Sequence, residues 1–572
     1  MAPPVRWPQA VCAGIVVLAT LAVAACAKGG GTDPDGPGRP GGQPNPAASP
    51  APVAVTVVAP AREATRVAYL AAAFLMREAP GARLAVEAEE LRSDGAPADV
   101  IVSRAEPGDA GAFVASFWLL AAHPLSARDD IAFGTLRELY VRGTPAGSAA
   151  TLLVPDVASL DPFDRGLGAP GRAQTVPPEA LAPRLLADPS ALALVPSGMF
   201  TDPRLAFVPV DGVDLVREPG HAPAYPLVTR LRVEAGRSDG TGGLAEALSR
   251  ALRTGLRAGP PPPAIRLLFT GDVIPARCVY ARQAALGDSA HAFRALAPFL
   301  SEADLTVGSL DAAISDAGTP IGCQPTFSLL APAASVEGLR SAGYDVVTVA
   351  TNHIKDCGAS SCGERAFLDT LANLRAAGIA PAGGGATLAE ARSPAVLDAD
   401  GVRFAFLGYD AIAPFYHAGP ATPGTAPLTE AYVREDVAAA RTRADVVIAL
   451  PHWGVEYTSA PTPEQRRLGR AALEAGATLV VGNHPHWVQA TDVVDGGFVA
   501  YALGNFVFDQ DWSIETQQGA ILEAVFWGAR LRAVRYYPVR IVDGYEPVFA
   551  EPAEARQILE RIFAASAALG AP

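Results

Sequence analysis

Five short stretches in the second half of the chain run from apolar residues into a side chain able to bind a metal. They are LLFTGD (Leu267–Asp272), TVGSLD (Thr306–Asp311), VVTVATNH (Val346–His353), VVIALPHW (Val446–Trp453) and LVVGNHPH (Leu479–His486). The chain has eight histidines, and four of them, His353, His452, His484 and His486, fall in these stretches. Taken singly, a histidine after a strand is more often a packed or capping residue than a ligand. The set carries more weight, because the carboxyl ends of the strands of an open α/β sheet share one rim, where such groups converge. His484-x-His486 places two imidazoles on one loop. Oxygen and imidazole donors without thiolate suit one or two divalent ions, Mn, Fe, Zn or Mg, rather than a closed cysteine-type zinc site.

The elements that must position these groups alternate between strand and helix. Strands are expected at 266–270, 305–310, 346–350, 402–408, 446–450, 478–481 and 498–503. Between them, helical patterns cover 291–302, 336–342 behind Ser335, 363–377 stopped by Gly378, and 429–441. Thr462, Pro463 and Gly476 mark the start and stop of a further helix. Two strands near 521–527 and 531–537 read as antiparallel, and 552–568 as a closing amphipathic helix. The pattern is that of an α/β domain.

The order Gly271-Asp272, Asp311, Asn352-His353, His452-Trp453-Gly454-Val455-Glu456-Tyr457, Gly482-Asn483-His484-Pro485-His486 and Gly504-Asn505-Phe506 resembles the CapA family. These are poly-γ-glutamate capsule-biosynthesis proteins within the calcineurin-like metallophosphoesterase superfamily. The resemblance covers about residues 264–545 and implies a four-layer α/β/β/α sandwich. It implies metal ligands at Asp272, Asp311, Asn352, His452, His484 and His486, with Asp311 as bridging carboxylate and His353 beside the leaving oxygen. Arg277, Glu456, Tyr457 and Asn505 match cleft positions, and Arg277 could clamp an anionic substrate. Ser309 stands where the family commonly has Asn, and Asp311 where it has Glu. Ile274 replaces the superfamily's opening histidine, so one or two ions are implied. The implied activity is a metal-dependent hydrolase or transferase acting on a phosphoester or γ-glutamyl bond. Its substrate would be an anionic polymer, its partners capsule-synthesis membrane proteins. A metal-containing protein that holds the polymer without turnover is the alternative.

Ahead of this lies a second α/β pattern, residues 53–257, with strands near 54–58, 83–86, 99–102 and 117–121 and a helix over 63–78. The text Phe117–Gly143, with Ala191–Asp214 and Tyr225–Leu227, resembles type II periplasmic solute-binding proteins. No Ser/Thr-rich anion nest is evident, so a retained fold without ligand and a solute-sensing domain both stay open. Residues 258–263 form a proline-rich linker, 264–548 the CapA-like domain and 549–572 a C-terminal helical segment.

Arg6 and the apolar run Val11–Ala25 read as an export signal too short for a comfortable span. Leu21–Cys26 resembles the bacterial lipobox, implying lipidation of Cys26 and a membrane-anchored protein facing the extracytoplasmic side. Signal 1–26 would precede a Gly/Pro-rich tether, 27–52. Of six cysteines, Cys278, Cys323, Cys357 and Cys362 remain, with three pairings open in an oxidising compartment. A formal charge of −14 excludes the basic footprint of a nucleic-acid binder.

Overall fold

The computed structural model describes residues 53–570 except 61–62, 81, 90–96, 107, 127, 143–150, 157–172, 198, 200–201, 223–224, 237–241 and 258–261. The signal, Cys26, the tether and most of the proline stretch lie outside the described residues. Among the described residues no helix is long and apolar enough to cross a membrane.

Two compact units divide the chain. The first draws on Met1–Trp118, Asp156–Ala169 and Pro226–Gly259, the second on Leu119–Pro155, Pro170–Tyr225 and Pro260–Pro572. In the first, Ala54–Ala59 pairs in parallel with Arg83–Ala88 and Val100–Arg104, and Val228–Ala235 joins antiparallel. Helices Ala64–Glu78 and Gly242–Leu256 bury Val67, Ala71, Leu248 and Leu252 against that sheet.

The second unit contains the five ligand-bearing stretches, distributed over two sheets. One sheet runs Ala380–Ala382, Val346–Thr348, Leu305–Leu310, Ala264–Val273, Gln518–Trp527, Arg530–Val542 and Glu546–Phe549. The other runs Ala395–Ala399, Val402–Asp410, Val446–His452, Leu479–Val481, Gly497–Ala500 and Thr491–Val494. Their inner faces share one apolar layer, in which Phe269, Val307, Val346 and Phe526 meet Phe404, Ile448, Leu479 and Phe498. Phe404 and Phe526 touch edge to face across it, ring centres 5.3 Å apart; truncating such a ring costs about 3–5 kcal/mol. Helix Glu364–Ala376 covers the outer face of the first sheet through Phe367, Leu371 and Leu374. Helices Glu430–Ala440 and Pro463–Ala475 cover the second through Val433, Val437, Leu468 and Ala472. The result is the expected α/β/β/α sandwich.

Local signals explain most boundaries. Thr462 accepts the Gln465 N–H while Gln465 reaches back, a full capping box, and Gly476 closes the helix at φ 108°. Two expectations need correction. The helix expected over 291–302 is a 3₁₀ turn, His291–Phe293, then a separate short helix, Ala297–Leu300, with Pro298 in its first turn, where proline's missing N–H is tolerated, whereas a continuous helix would need it. Ser335 is itself helical and makes no side-chain cap.

The segment 119–225 also belongs largely to the second unit. The Trp527 indole donates to the Val216 carbonyl at 2.9 Å, and Arg217 meets Glu523 at 2.5 Å.

Candidate functional site

Each ligand-type residue sits where a parallel strand ends. Asp272 is the penultimate residue of Ala264–Val273, His452 the last of Val446–His452, and Asp311 follows Leu305–Leu310 directly. Asn352 and His353 come just after Val346–Thr348, and His484 and His486 just after Leu479–Val481. Because these strands are parallel within their sheets, their carboxyl ends share one edge. Gly271 permits the closest backbone approach there: a Cβ on it would lie 2.0 Å from the Gly504 carbonyl oxygen.

The structure brings together the six ligand candidates. His452 Nε2 lies 2.7 Å from Asn352 Oδ1 and 3.8 Å from Asp311 Oδ1. His452 Nδ1 is 4.0 Å from Asp272 Oδ1, and His486 Nδ1 is 3.4 Å from Asp272 Oδ2. The His484 N–H donates to Asp272 Oδ2, and the His452 and His484 rings meet edge to face at 4.9 Å. Asp272, Asp311 and His452 are fully buried.

Buried polar atoms normally find partners, and each exception calls for a cause. Here Asp272 Oδ1, Asp311 Oδ2, His452 Nδ1, His484 Nδ1 and Asn483 Oδ1 are all buried without one. Two donors at about 2.0–2.2 Å from one tetrahedral ion lie some 3.3–3.6 Å apart; His486 Nδ1 and Asp272 Oδ2 are at 3.4 Å, while His452 Nδ1 and Asp272 Oδ1 are wider, at 4.0 Å. Among the described residues no three His, Cys, Asp or Glu groups converge tightly enough to hold an ion as they stand. The chemistry of the donor set and its unpartnered atoms nevertheless fit a divalent ion.

Burial and the neighbouring imidazoles push His484 down to about 3 and His452 well below its usual value, so both rings are neutral, the state that ligates. Burial lifts Asp311 to about 6, against the pull of His353. For His353 burial opposes the charge, but Asp311 and Asp356 outweigh it and raise the ring to about 9. Its Nδ1 lies 2.7 Å from Asp356 Oδ2, and Asp356 is held by the Tyr416 hydroxyl and the Leu329 N–H. His486 is likewise raised, burial being overcome by Asp272.

Backbone strain gathers at the same place. Outside turn aspartates, the described non-glycine residues with positive φ are Arg277 (53°), Tyr457 (61°), His484 (100°) and His486 (57°). Left-handed backbone costs such residues about 1–3 kcal/mol each and clusters at functional sites.

The remaining candidates divide. Asn505 Oδ1 lies 2.8 Å from His486 Nδ1, and the Asn505 amide donates to Gln510 and the Thr516 carbonyl. Tyr457 stacks on His486 with ring centres 6.1 Å apart, and Glu456 is exposed beside it. Arg277 is not a free clamp. Its Nε donates to Asp509 at 3.0 Å, its Nη2 also meets Asp509, and its Nη1 donates to the Thr326 carbonyl at 3.0 Å. Its fork is occupied by protein, so it ties two loops rather than awaiting an anion. Sequence reasoning missed Asn483, Asp356 and Asp509. Asn483 lay inside a quoted stretch and Asp356 three residues after His353; Asp509 carried no local signal.

Residues 266–510, which include every member of this cluster, match the family model described as bacterial capsule synthesis protein PGA_cap. This part of the chain is similar to the CapA capsule-biosynthesis proteins. It is 30% identical over 240 residues to the capsule biosynthesis protein CapA of Bacillus anthracis, covering 41% of this chain and 57% of that protein. With the PGA biosynthesis protein CapA of Bacillus subtilis (strain 168) it shares 29% over 257 residues, 45% of this chain and 66% of that one. A probable polyglutamine synthesis accessory protein of Mycobacterium tuberculosis is 27% identical over 189 residues, 31% of this chain and 48% of its own. The chain thus spans less than two thirds of the length of these relatives. Among solved structures, a phosphate transport receptor from Vibrio cholerae aligns over 35% of this chain and 98% of its own, with TM-score 0.28 and 12% identity. A 5'-nucleotidase precursor from Thermus thermophilus aligns over 54% and 59%, with TM-score 0.31 and 16% identity.

Proposed function

We propose that this CapA-like protein is a metal-dependent hydrolase or transferase that acts in synthesis, export or anchoring of a poly-γ-glutamate-like capsule polymer. It would work at the cell envelope, held to the membrane through Cys26. The observation that carries this reading is the set of buried, unpartnered donors at one edge of the sandwich: Asp272 Oδ1, Asp311 Oδ2, His452 Nδ1 and His484 Nδ1. Asp272, Asp311, Asn352, His452, His484 and His486 would hold one or two divalent ions. When bound, the metal supplies a polarised substrate oxygen and a water acidified towards neutral pH. Asn352 orients His452 by their 2.7 Å contact. Asn505 does the same for His486. His353 uses Nδ1 on Asp356, which leaves Nε2 free to hand a proton to the leaving oxygen as general acid. The near-complete burial of the carboxylates keeps water out and strengthens each of these interactions.

Elemental analysis of the purified chain, followed by phosphodiester and γ-glutamyl substrates, tests the reading. Bound transition metal with turnover that a chelator abolishes is the expected result. Bound metal without turnover of either class would replace the enzyme by a polymer-holding protein, and absence of metal would remove both.

A further inference from the structure

Six of the ten exposed large apolar side chains described in the second domain stand on the loops around the site: Phe327, Phe415, Val455, Tyr457, Trp512 and Ile514. Single exposed apolar residues need no explanation, but a contiguous set marks an interaction surface. Phe327 is 90% exposed, Phe415 76% and Trp512 59%.

Hydrogen bonds and one ring contact link these loops in series. Tyr416, next to Phe415, bonds Asp356, and Asp356 also accepts the Leu329 N–H beside the Phe327 loop. Arg277 links the Thr326 carbonyl to Asp509, three residues before Trp512. Trp512 meets Tyr457 edge to face, ring centres 5.1 Å apart. The series touches the candidate site at two points, where Asp356 bonds His353 and Tyr457 stacks on His486.

Its charge is as informative as its apolarity. The stretches 324–329, 353–358, 413–424, 453–462 and 508–516 contain no arginine and a single lysine, Lys355, against five carboxylates, of which Glu456 and Asp511 are exposed. The Lys355 ammonium donates to the Pro423 carbonyl at 2.6 Å, and Arg277 is taken by Asp509. These loops therefore offer an anionic polymer no free lysine or arginine, and its charge would have to be met at the metal site itself. Aromatic rings also stack on the faces of sugars, so an uncharged polysaccharide is the rival occupant and enters the test below. Trp, Tyr and Phe do partition to the boundary of a bilayer. The chain also carries the lipobox-like Cys26, separated from Val53 by residues 27–52, at most about 90 Å when fully extended.

We infer that this aromatic rim is an interfacial docking surface that seats the mouth of the site against a lipid bilayer. The substrate then reaches the site from the membrane surface, its lipid-proximal part lying against the rim. This deepens the proposed function by naming where the substrate is taken from, and it is tested by a binding measurement without turnover, so its failure leaves the enzymatic reading untouched.

The chain lacking residues 1–26 keeps every described residue and has no acyl group. It should co-sediment with phosphatidylcholine vesicles, and less with vesicles rich in phosphatidylglycerol, because the chain is acidic overall, with a formal charge of −14. Phe327→Ser with Phe415→Ser should weaken binding by roughly tenfold or more without changing the melting temperature. Vesicles should shift tryptophan emission to the blue; Trp512→Phe should keep binding and lose most of that shift. Absence of sedimentation, equal sedimentation of the double variant, or capture by an uncharged polysaccharide in place of vesicles would overturn the inference.

Discussion

His452 Nε2 and Asn352 Oδ1 lie 2.7 Å apart although 100 residues separate them in sequence. His452 ends a strand of one sheet and Asn352 follows a strand of the other. The contact therefore couples the edges of both sheets, and it holds a neutral imidazole in place. Asn352→Ala should remove a ligand candidate and leave the His452 ring unoriented, lowering metal affinity by at least the roughly 10–100-fold that loss of an orienting residue alone brings. Titration calorimetry with Mn and Zn checks it. An unchanged affinity would separate Asn352 from the site.

Arg277 gives the opposite kind of expectation. Its side chain is 16% exposed and Asp509 5%, so the pair is largely buried. Removing one partner strands the other charge, a loss of about 3–5 kcal/mol. Arg277→Ala should lower the urea midpoint strongly, and adding Asp509→Ala should recover part of the loss. A rise in KM with unchanged stability would restore the substrate clamp instead.

That contrast shows what could be read from the chain alone. Strand ends such as Leu267–Asp272 announce themselves because an apolar run, a glycine and a ligand type are neighbours in sequence. Helix limits such as Thr462 and Gly476 do so because capping is local. The role of Arg277 depends on Asp509, 232 positions away, and only the folded sheets bring the two together. The same holds for Tyr416, whose hydroxyl meets Asp356 across 60 residues. The break within 291–300 is hidden in the sequence because apolar periodicity persists through Pro298, which lies in the first turn of the restarted helix.

The cysteines left open by sequence form Cys278–Cys323 and Cys357–Cys362. The first closes a loop with a sequence separation of 45, the second one of 5. In the chain-entropy account the longer link contributes about 4 kcal/mol and the shorter about 2. Peptide mapping without reduction should find these two links. Cys278→Ser with Cys323→Ser should then shift the urea midpoint further than Cys357→Ser with Cys362→Ser. Any cross-pairing between the two sets would contradict the fold of the rim.

In the proposed function, His353 and Asp356 would separate catalysis from metal binding. His353 contributes no close contact to the buried ligand atoms other than its N–H to Asp311 at 3.2 Å, which a substitution preserves. Its ring is fixed by Asp356, which itself receives Tyr416 and the Leu329 N–H. His353→Ala should therefore keep the full metal content while turnover falls by about 10²–10⁴, the usual size of a lost general acid. Asp356→Asn keeps the shape of the side chain but offers less acceptor strength to Nδ1. It should give a smaller fall in kcat, with KM little changed, because the substrate is held elsewhere. His484→Ala should behave differently from both: its unpartnered Nδ1 is a ligand candidate, so metal content falls with activity, while the melt stays close to wild type. Elemental analysis, melts and steady-state rates on the three variants decide the matter. Metal loss in His353→Ala, or full metal retention in His484→Ala, would exchange the roles assigned to the two histidines.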